Sequence, residues 1–491
     1  MTIDTMESHP PSRIQQYITT ASATMGALAL GSVIGFTTHC VAQLTSEDTP
    51  TSSSDLRLTP PEASWFASSA NLGAVVGGLI GGLAANHIGR RGTLLVVAPP
   101  FIASWLMIAL AYDFALLMAG RVLTGVCMGI VCSVAPPYIG EFASANIRGT
   151  LGSCFQVMLT TGILYAFFLG AVVGNWRLQA FLCMLPPGLL LVSMYFAKES
   201  PIYLLAKGRD EEAAKSLQFF RGKNYNIQDE MKVLKESLED AQRNSFSLKD
   251  LKQSYVLKPL FISLLLMFFQ QTTGVPAVMF NLTTVFRASG SALSDDMSVI
   301  IIGIVQVLAT GGGSVLVDRA GRKRLLIISA AVMAVSIVGM GGFSYANSIS
   351  SPQPNPPPAS VSALGVIPLV LLIVFVSAFS VGLGPVPWLM MGELFPSNVR
   401  ETAASLSTAC NWISAFLITL IFYPMTASLG EHGTYWVFGA ICLLALVFSA
   451  CFVPETKGKT LLQISAYFGA PDGVVDEGEG RTGEGVMEKA V

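Results

Sequence analysis

Long apolar runs separated by short polar connectors extend along the whole chain. A run of about 20 apolar residues spans a bilayer as a helix, because lipid offers no hydrogen-bonding partner to a backbone amide. The pattern predicts twelve such helices, at residues 18–44, 63–85, 93–111, 115–138, 149–173, 178–197, 259–286, 297–317, 325–345, 361–390, 403–425 and 434–453. We therefore expect an all-α membrane protein.

The composition supports this expectation. Of the 491 residues, 52% are hydrophobic and 12% are charged, whereas soluble proteins carry about 25% charged residues. One water-soluble core cannot bury that much apolar surface, so the chain needs lipid. The net charge of −2 is less informative than the distribution of the basic residues along the chain.

The basic residues lie mainly on one side of the predicted helices. Only Arg57, Arg177 and Arg287 fall opposite the two termini, and Arg121 lies within a span. Loops on the cytoplasmic side carry the excess of Lys and Arg, so both termini are expected in the cytoplasm. All eight cysteines lie in apolar runs without a Cys-x-x-Cys pair, which indicates neither a disulfide framework nor a zinc site.

The connectors of the first half recur in the second. Residues 86–91, Asn-His-Ile-Gly-Arg-Arg, return at 318–323 as Asp-Arg-Ala-Gly-Arg-Lys, and the spacing from Glu141 to Arg148 returns from Glu393 to Arg400. Six spans separate the copies, so the two halves have the same orientation in the membrane. The predicted organisation is a cytoplasmic N-terminus at 1–17, a six-helix half at 18–197, a cytoplasmic helical linker at 198–258, a second half at 259–453 and a cytoplasmic tail at 454–491.

Several short motifs resemble the sugar-porter family of the major facilitator superfamily, which includes facilitative glucose carriers and insect trehalose carriers. They are Gly120-Arg121, Pro137 to Glu141, Glu199 to Pro201, Gln270 to Gly274, Gly384 to Trp388, Asn411-Trp412 and Pro454 to Gly458. The resemblance covers nearly all of the membrane region. It implies the major facilitator fold, two parallel six-helix halves with a binding cavity between them.

The resemblance also implies a binding site of amides and one aromatic wall. A sugar carries hydroxyls on its rim and C–H groups on its faces, which paired donors and acceptors and an aromatic ring can recognise. The matching positions are Gln156, Gln270, Gln271, Gln306, Trp388 and Asn411. The alternative is that these buried amides only join helix to helix in lipid.

Four positions depart from the pattern of the glucose carriers. Pro276 replaces an Asn that touches sugar, Phe280-Asn281 replaces an aromatic pair, Gln306 is one methylene longer than the usual Asn, and Ala415 replaces a second Asn. We therefore expect a pocket for a hexose or for a disaccharide such as trehalose, with a polyol also plausible.

The energy source is indicated by Thr37. Proton-driven members of the family carry an Asp in the first span near the arginine of the fourth, whereas Thr37 cannot bind a proton reversibly. We expect passive uniport. A proton-coupled sugar symporter is one alternative, and a non-transporting sugar sensor, suggested by Pro276 and Ser380, is another. His39, alone near the end of its span, is expected to be an ordinary packing residue.

The resemblance places a cytoplasmic gate in charged residues at the ends of the spans. They are Arg90, Arg91, Glu141, Arg148 and Glu199 in the first half, and Arg319, Arg322, Glu393, Arg400 and Glu455 in the second. Exposed ion pairs suit a gate because each is worth only about 0–1 kcal/mol. Asn86 and His87 replace the family's Asp-Arg, so the first group should be weaker.

No motif indicates catalysis. The chain lacks a His-Glu-x-x-His pair and a phosphate-binding loop, and its four histidines have no metal-ligand spacing. We expect no enzyme activity, no cofactor, no metal and no nucleic-acid partner. The expected partners are a sugar and the lipid bilayer, and the expected state is a multi-pass monomer in the plasma membrane.

Overall fold

The computed structural model describes residues 12–45, 56–243, 253–289, 293–350, 366–395 and 397–469. Every regular element in these ranges is a helix, and we number the helices α1 to α19 in chain order. The prediction of an all-α membrane protein is confirmed. Parts of two connectors between predicted spans, at 46–55 and 351–360, lie outside the described residues. So do the start of the tenth predicted span, at 361–365, part of the predicted linker, at 244–252, and the tail after residue 469.

Seven helices form the first half. They are α1 (Ile14–Thr45), α2 (Pro60–Ile88), α3 (Arg90–Ala109), α4 (Phe114–Phe142), α5 (Arg148–Val173), α6 (Trp176–Leu182) and α7 (Leu185–Phe196). Helices α6 and α7 share the sixth predicted span, which is interrupted before Pro186. This proline lies in the first turn of α7, where its missing N–H is not needed.

Glycines bring these helices into backbone contact. A Cβ atom on Gly31 of α1 would lie 2.0 Å from the carbonyl oxygen of Leu159 on α5, and one on Gly77 of α2 would lie 2.0 Å from that of Val126 on α4. Because lipid gives helices no hydrophobic reason to associate, close packing through small residues supplies much of the attraction.

Three short helices follow on one face of the bundle: α8 (Pro201–Ala206), α9 (Asp210–Arg221) and α10 (Gln228–Arg243). They are attached to the first half. The Phe220 ring stacks on that of Phe142 at 4.7 Å, and Arg221 donates to the Phe142 carbonyl at 2.8 Å. Arg221 also pairs with Glu230, at 2.5 Å.

The second half contains α11 (Ser254–Thr272), α12 (Val275–Phe280), α13 (Leu282–Ser289), α14 (Asp295–Ala320), α15 (Arg322–Ser350), α16 (Ile367–Val381), α17 (Val386–Glu393) and α18 (Ser397–Cys451), and α19 (Leu461–Tyr467) follows it. Helix α18 includes two crossings, because Gly430 breaks it with φ 72° and ψ 170°. The rings of Phe422 and Phe438 are 6.4 Å apart, whereas 16 residues of straight helix would separate them by about 24 Å.

The seventh span is not the continuous helix predicted over 259–286. It starts at Ser254 and is divided into α11, α12 and α13. Gly274 takes φ 93° at the first break, and a Cβ atom there would lie 2.5 Å from the Phe438 ring. Pro276 follows in the first turn of α12, so it begins a helix and does not interrupt one.

The tenth span is also broken, at residues 382–387, where the sequence Gly-Leu-Gly-Pro-Val-Pro favours a bend because proline removes helix donors. Helix α16 ends at Val381 and α17 begins at Val386. Gly382 permits this geometry, since a Cβ atom there would lie 2.3 Å from the Ser329 side chain. The break leaves carbonyl groups without partners in their own helix.

The bundle has two ends, which we name by what they carry. The linker face carries α8 to α10 and the described chain ends near residues 12 and 469, and the far face is the opposite end. Each half has its own apolar core. Phe280 and Trp412 of the second half join the core of the first, while Ile163 and Phe167 of the first join the core of the second.

Candidate functional site

Three amide side chains of the second half form one hydrogen-bonded group, which we call the amide node. Asn411 donates from Nδ2 to Gln270 Oε1 at 2.6 Å, and Gln271 Nε2 donates to Asn411 Oδ1 at 2.8 Å. Asn411 also donates to the Met267 carbonyl at 3.3 Å. Asn411 is fully buried and Gln271 is half-buried, so Gln271 is the most exposed member of the node.

Gln270 connects the amide node to the broken tenth span. Its Nε2 donates to the carbonyl oxygens of Leu383, at 3.1 Å, and Gly384, at 2.5 Å. These are among the carbonyls that the break between α16 and α17 leaves unpaired. Only 2% of Gln270 is exposed, so its contacts match the helix-joining role that the sequence left open as an alternative.

The other three predicted site residues lie on three different helices: Gln156 on α5, Gln306 on α14 and Trp388 on α17. Gln306 is buried, and its Oε1 has no hydrogen-bond partner in the described part of the chain. An unpaired buried polar group costs about 1–3 kcal/mol. Gln156 and Trp388 are half-buried, and neither side chain forms a hydrogen bond to a described residue.

Helices α5 and α14 bring the two halves together beside this group. A Cβ atom on Gly303 of α14 would lie 3.0 Å from Leu164 of α5. The structure therefore places Gln156 and Gln306 on a pair of facing helices, one from each half. It joins only Gln270, Gln271 and Asn411 by direct hydrogen bonds.

At the corresponding place in the first half lies a buried cation, Arg121. Its guanidinium donates to the carbonyl oxygens of Val33, at 3.0 Å, and Phe66, at 3.4 Å, and to the Thr37 hydroxyl. It also lies over the Phe66 ring, 5.1 Å from its centre. Arg121 is fully buried, so these contacts hold a charge inside the first half that would otherwise be costly at membrane depth.

On the linker face, the charged residues of the first half form one cluster. Glu199 accepts hydrogen bonds from the backbone N–H groups of Arg90, Arg91 and Gly92 at 2.9 to 3.2 Å, and so caps the start of α3. Arg90 pairs with Glu141 at 2.8 Å. The remaining two cations bind carbonyls: Arg91 donates to Tyr195 at 2.8 Å and Arg148 to Ala143 at 3.5 Å.

The second half repeats this cluster. Glu455 accepts from the backbone N–H groups of Arg322 and Lys323 at 2.9 and 3.2 Å and caps α15, and Arg322 pairs with Glu393 at 2.9 Å. Glu393 also accepts from Thr456, at 2.5 Å. Arg400 donates to the Phe395 carbonyl, while the Arg319 carbonyl accepts from Lys457 at 2.6 Å.

Glycine explains why the Gly-Arg motif starts both α3 and α15. Gly89 and Gly321 take φ 87° and 91°, which other residues rarely adopt. A Cβ atom would also lie 2.3 Å from Glu199 at the first site and 2.6 Å from Glu455 at the second. The contacts shown here lie within each half, so a latch between the halves at this face remains a prediction.

Direct contacts between the halves are found toward the far face. Thr38 donates to the Met279 carbonyl at 2.7 Å, and His39 Nε2 lies 3.2 Å from Asp296 Oδ1. Deeper in the bundle, Asn71 of α2 donates to Thr419 of α18 at 3.3 Å. The sequence pattern does not reveal these pairs, because no local spacing links residues so far apart in the chain. The two halves are thus joined by polar contacts toward the far face.

A small, mostly apolar cavity of about 70 Å³ is not indicated by the sequence pattern. It lies near the far face within the second half. Asn281 and Glu431 line it together with Tyr423, whose hydroxyl donates to Asn281 Oδ1 at 2.7 Å. Asn281 also donates to the Ala277 carbonyl at 2.8 Å. Asn281 thus stands where the resemblance implies an aromatic residue, and its amide stabilises the second break of the seventh span, between α12 and α13.

A family model described as "Sugar (and other) transporter" matches residues 19–468. The chain belongs to this sugar transporter family. Among its relatives are the facilitated trehalose transporters of Drosophila pseudoobscura pseudoobscura, 39% identical over 451 residues, and of Culex quinquefasciatus, 37% identical over 451 residues. Each match covers 91% of this chain, with 50% of the first relative and 85% of the second. The chain spans about half the length of the first.

The sugar transporter family also appears among solved structures. The proton:xylose symporter XylE bound to 6-bromo-6-deoxy-D-glucose matches with a TM-score of 0.74 and 26% identity, over 93% of this chain and 99% of that one. A partially occluded inward open conformation of XylE from E. coli matches with a TM-score of 0.74 and 24% identity, over 91% and 100%. The prediction of the major facilitator fold is confirmed.

Proposed function

We propose that this chain is a passive carrier that moves a hexose, or a disaccharide such as trehalose, across a membrane by alternating access. Membership of the sugar transporter family and relatives named facilitated trehalose transporters support this function. The observation that carries it is the amide node, whose member Gln271 is partly exposed. Uncharged amides beside an aromatic wall suit a neutral, polyhydroxylated solute.

In this proposal Gln156, Gln271, Gln306 and Trp388 contact the sugar, and Gln270 and Asn411 hold Gln271 in place. Gln306 contributes an acceptor that has no partner among the described residues and that a sugar hydroxyl would satisfy. Each such hydrogen bond contributes about 0.5–1.5 kcal/mol, so several together are needed for useful affinity. The carrier acts as a monomer and needs no cofactor, metal or catalytic residue.

Passive transport is supported by the position of Thr37. Its hydroxyl accepts a hydrogen bond from Arg121, at the place where proton-driven relatives hold a carboxylate. A hydroxyl does not take up and release protons near neutral pH, and the other partners of Arg121 are backbone carbonyls. The energy source is then the sugar gradient alone.

We place the protein in the plasma membrane, with the linker face and both termini in the cytoplasm. The concentration of basic residues on that side supports this orientation. The conformation seen here is then closed to the outside. The charged clusters of the linker face are the proposed gate residues of the opposite, outward-open state.

The experiment that tests the function is counterflow in proteoliposomes with radiolabelled glucose, fructose, trehalose and a polyol. We expect saturable exchange of at least one sugar, unaffected by a protonophore. Gln271→Ala and Trp388→Ala should each lower kcat/KM at least about tenfold. Gln179→Ala is the matched control, because Gln179 is a buried amide of the first half whose one hydrogen bond to a described residue goes to the Ala166 carbonyl.

Other outcomes would decide between the alternatives. Uptake abolished by the protonophore would make the protein a proton-coupled symporter, and binding without exchange would make it a sugar sensor. Exchange of no sugar and no polyol, together with no binding, would contradict the proposal. Normal transport by both Gln271→Ala and Trp388→Ala would show that the site is misplaced.

A further inference from the structure

A contact between a histidine and an aspartate joins the two halves. His39 of α1, in the first half, directs Nε2 to Asp296 of α14, in the second half, at 3.2 Å. The two residues are 257 positions apart in the chain. The ion pairs of Arg90 with Glu141 and of Arg322 with Glu393, by contrast, each lie within one half. The contact therefore depends on how the halves are placed.

The histidine is held firmly on its own side. Its side chain is 4% exposed, and its ring lies 6.3 Å from that of Phe167 on α5. Gly170 provides the space, since a Cβ atom there would lie 2.4 Å from His39 Cγ. The imidazole is thus positioned by α1 and α5 of the first half before any contact with α14 is made.

The aspartate is presented at the start of α14. Ser294 caps this helix by accepting a hydrogen bond from Met297 N, and Asp296 lies in the first turn with 53% of its side chain exposed. When the halves separate at this face, water can solvate the carboxylate at little cost. A rigid buried partner and a half-exposed partner make a contact that can be broken reversibly.

One neighbouring contact strengthens the same closure. Thr38, adjacent to His39, donates to the Met279 carbonyl at 2.7 Å. This carbonyl lies near the end of α12, two residues before Asn281, whose side chain is bonded to Tyr423. Helix α1 therefore contacts both α12 and α14 of the second half through consecutive residues.

We propose that His39 and Asp296 form a far-face latch, a contact that stabilises the conformation closed at the far face and is broken each time the carrier opens there. The proposal rests on the alternating access of the proposed function. Neither residue belongs to the amide node, so the latch affects the placement of the two halves and not the contacts with sugar. Its loss should shift the equilibrium between the two conformations without removing any group that contacts sugar.

The sidedness of transport tests the latch. In intact cells expressing the full chain, Asp296→Ala should lower the KM for sugar entry from the far face about threefold and raise the KM for exit by a similar factor. Opposite shifts of the two KM values follow from a changed equilibrium, whereas general damage to the fold would not produce them. Asp296→Asn keeps the acceptor oxygen and should behave nearly as the wild type.

Asp113→Asn is the matched control, since it removes a carboxylate charge whose hydrogen bond, from Leu116 N at 2.8 Å, lies within the first half. It should leave both KM values within about twofold. Parallel shifts of entry and exit for Asp296→Ala, or equal shifts for the Asp113→Asn and Asp296→Ala variants, would overturn the proposal.

A second measurement requires no sugar, so its failure and that of the proposed function can be separated. Spin labels at Tyr112 and Ser428, which are exposed near the far face on opposite halves, report the distance between the halves. The labels are placed in a background that lacks the partly or fully exposed cysteines, Cys132, Cys154, Cys410 and Cys451. We expect Asp296→Ala to increase the long-distance population about threefold, and an unchanged distribution would contradict the latch.

Discussion

The two halves share one architecture but differ at the middle of the membrane. The first half buries a cation, Arg121, and satisfies it with carbonyls and a hydroxyl of its own helices. The second buries neutral amides there, of which Gln271 is partly exposed and Gln306 has an oxygen without a partner in the described residues. The two halves of the duplication thus differ in what they bury at this depth, a charge in the first and neutral amides in the second.

The difference follows from the continuity of the helices. Arg121 is enclosed by three unbroken helices, α1, α2 and α4. Their carbonyl groups already accept a hydrogen bond within the helix, so Arg121 binds them only as an additional donor. In the second half the seventh and tenth spans are broken, and Gln270 binds the carbonyls at one of these breaks. Broken helices place backbone and amide groups where a solute can use them.

The largest effect is expected on folding, from a substitution that is incompatible with the break at Gly274 in the seventh span. Gly274→Ala requires an alanine at φ 93° and a Cβ atom 2.5 Å from the Phe438 ring. Left-handed conformation alone costs about 1–2 kcal/mol, and the clash adds to it. We expect a strong loss of folded protein, measured by size-exclusion chromatography of the detergent-solubilised chain and by its Tm.

Gly188→Ala is the control for that variant, because nothing lies within 4 Å of a Cβ atom at this position of α7 in the first half. It should fold as well as the wild type. Equal yields and Tm values for the two alanine variants would show that the break at Gly274 is not needed.

A smaller effect is expected at Gln306, where a substitution should lower sugar exchange without lowering stability. Gln306→Leu replaces a buried amide whose oxygen is unpaired, so the Tm should stay the same or rise, since an unpaired group costs about 1–3 kcal/mol. Sugar exchange should nevertheless fall about tenfold. Gln179→Leu, in the first half, should leave exchange within about twofold. Loss of Tm without loss of exchange in Gln306→Leu would assign this residue to structure alone.

The smallest effect compares the two capping carboxylates. Glu199 accepts from three backbone N–H groups at the start of α3, and Glu455 accepts from two at the start of α15. Charge-assisted caps contribute about 1 kcal/mol each, so Glu199→Gln should lower the Tm slightly more than Glu455→Gln. Thermal scans in one detergent measure the difference, and the reverse order would contradict the interpretation of these contacts.

Much of this organisation can be predicted from the sequence. Apolar runs and the repeated Gly-Arg connectors indicate the helical membrane fold, because span length and charge at span ends are local properties. The Gly-Pro segment of the tenth span likewise predicts its bend. The role of Pro276 does not follow from the sequence, since a proline within an apolar run can interrupt a helix or begin one. The positive φ of Gly274 shows that a helix ends just before Pro276, which therefore begins the next one.

Contacts between distant residues could not be predicted in the same way. The sequence placed Gln270, Gln271 and Asn411 in one group by family resemblance, but not the hydrogen bonds that make Gln270 a link and leave Gln271 accessible. His39 was expected to be an ordinary packing residue. Its contact with Asp296 depends on the meeting of two halves, which no local pattern records.

The central claim is that the amide node of the second half recognises the sugar, and binding to the purified protein tests it most directly. Isothermal titration with the sugar that exchanges best should give a Kd for the wild type at least about tenfold tighter than for Asn411→Ala, and within about twofold of that for Gln179→Ala. Equal affinities of the wild type and Asn411→Ala would contradict the account.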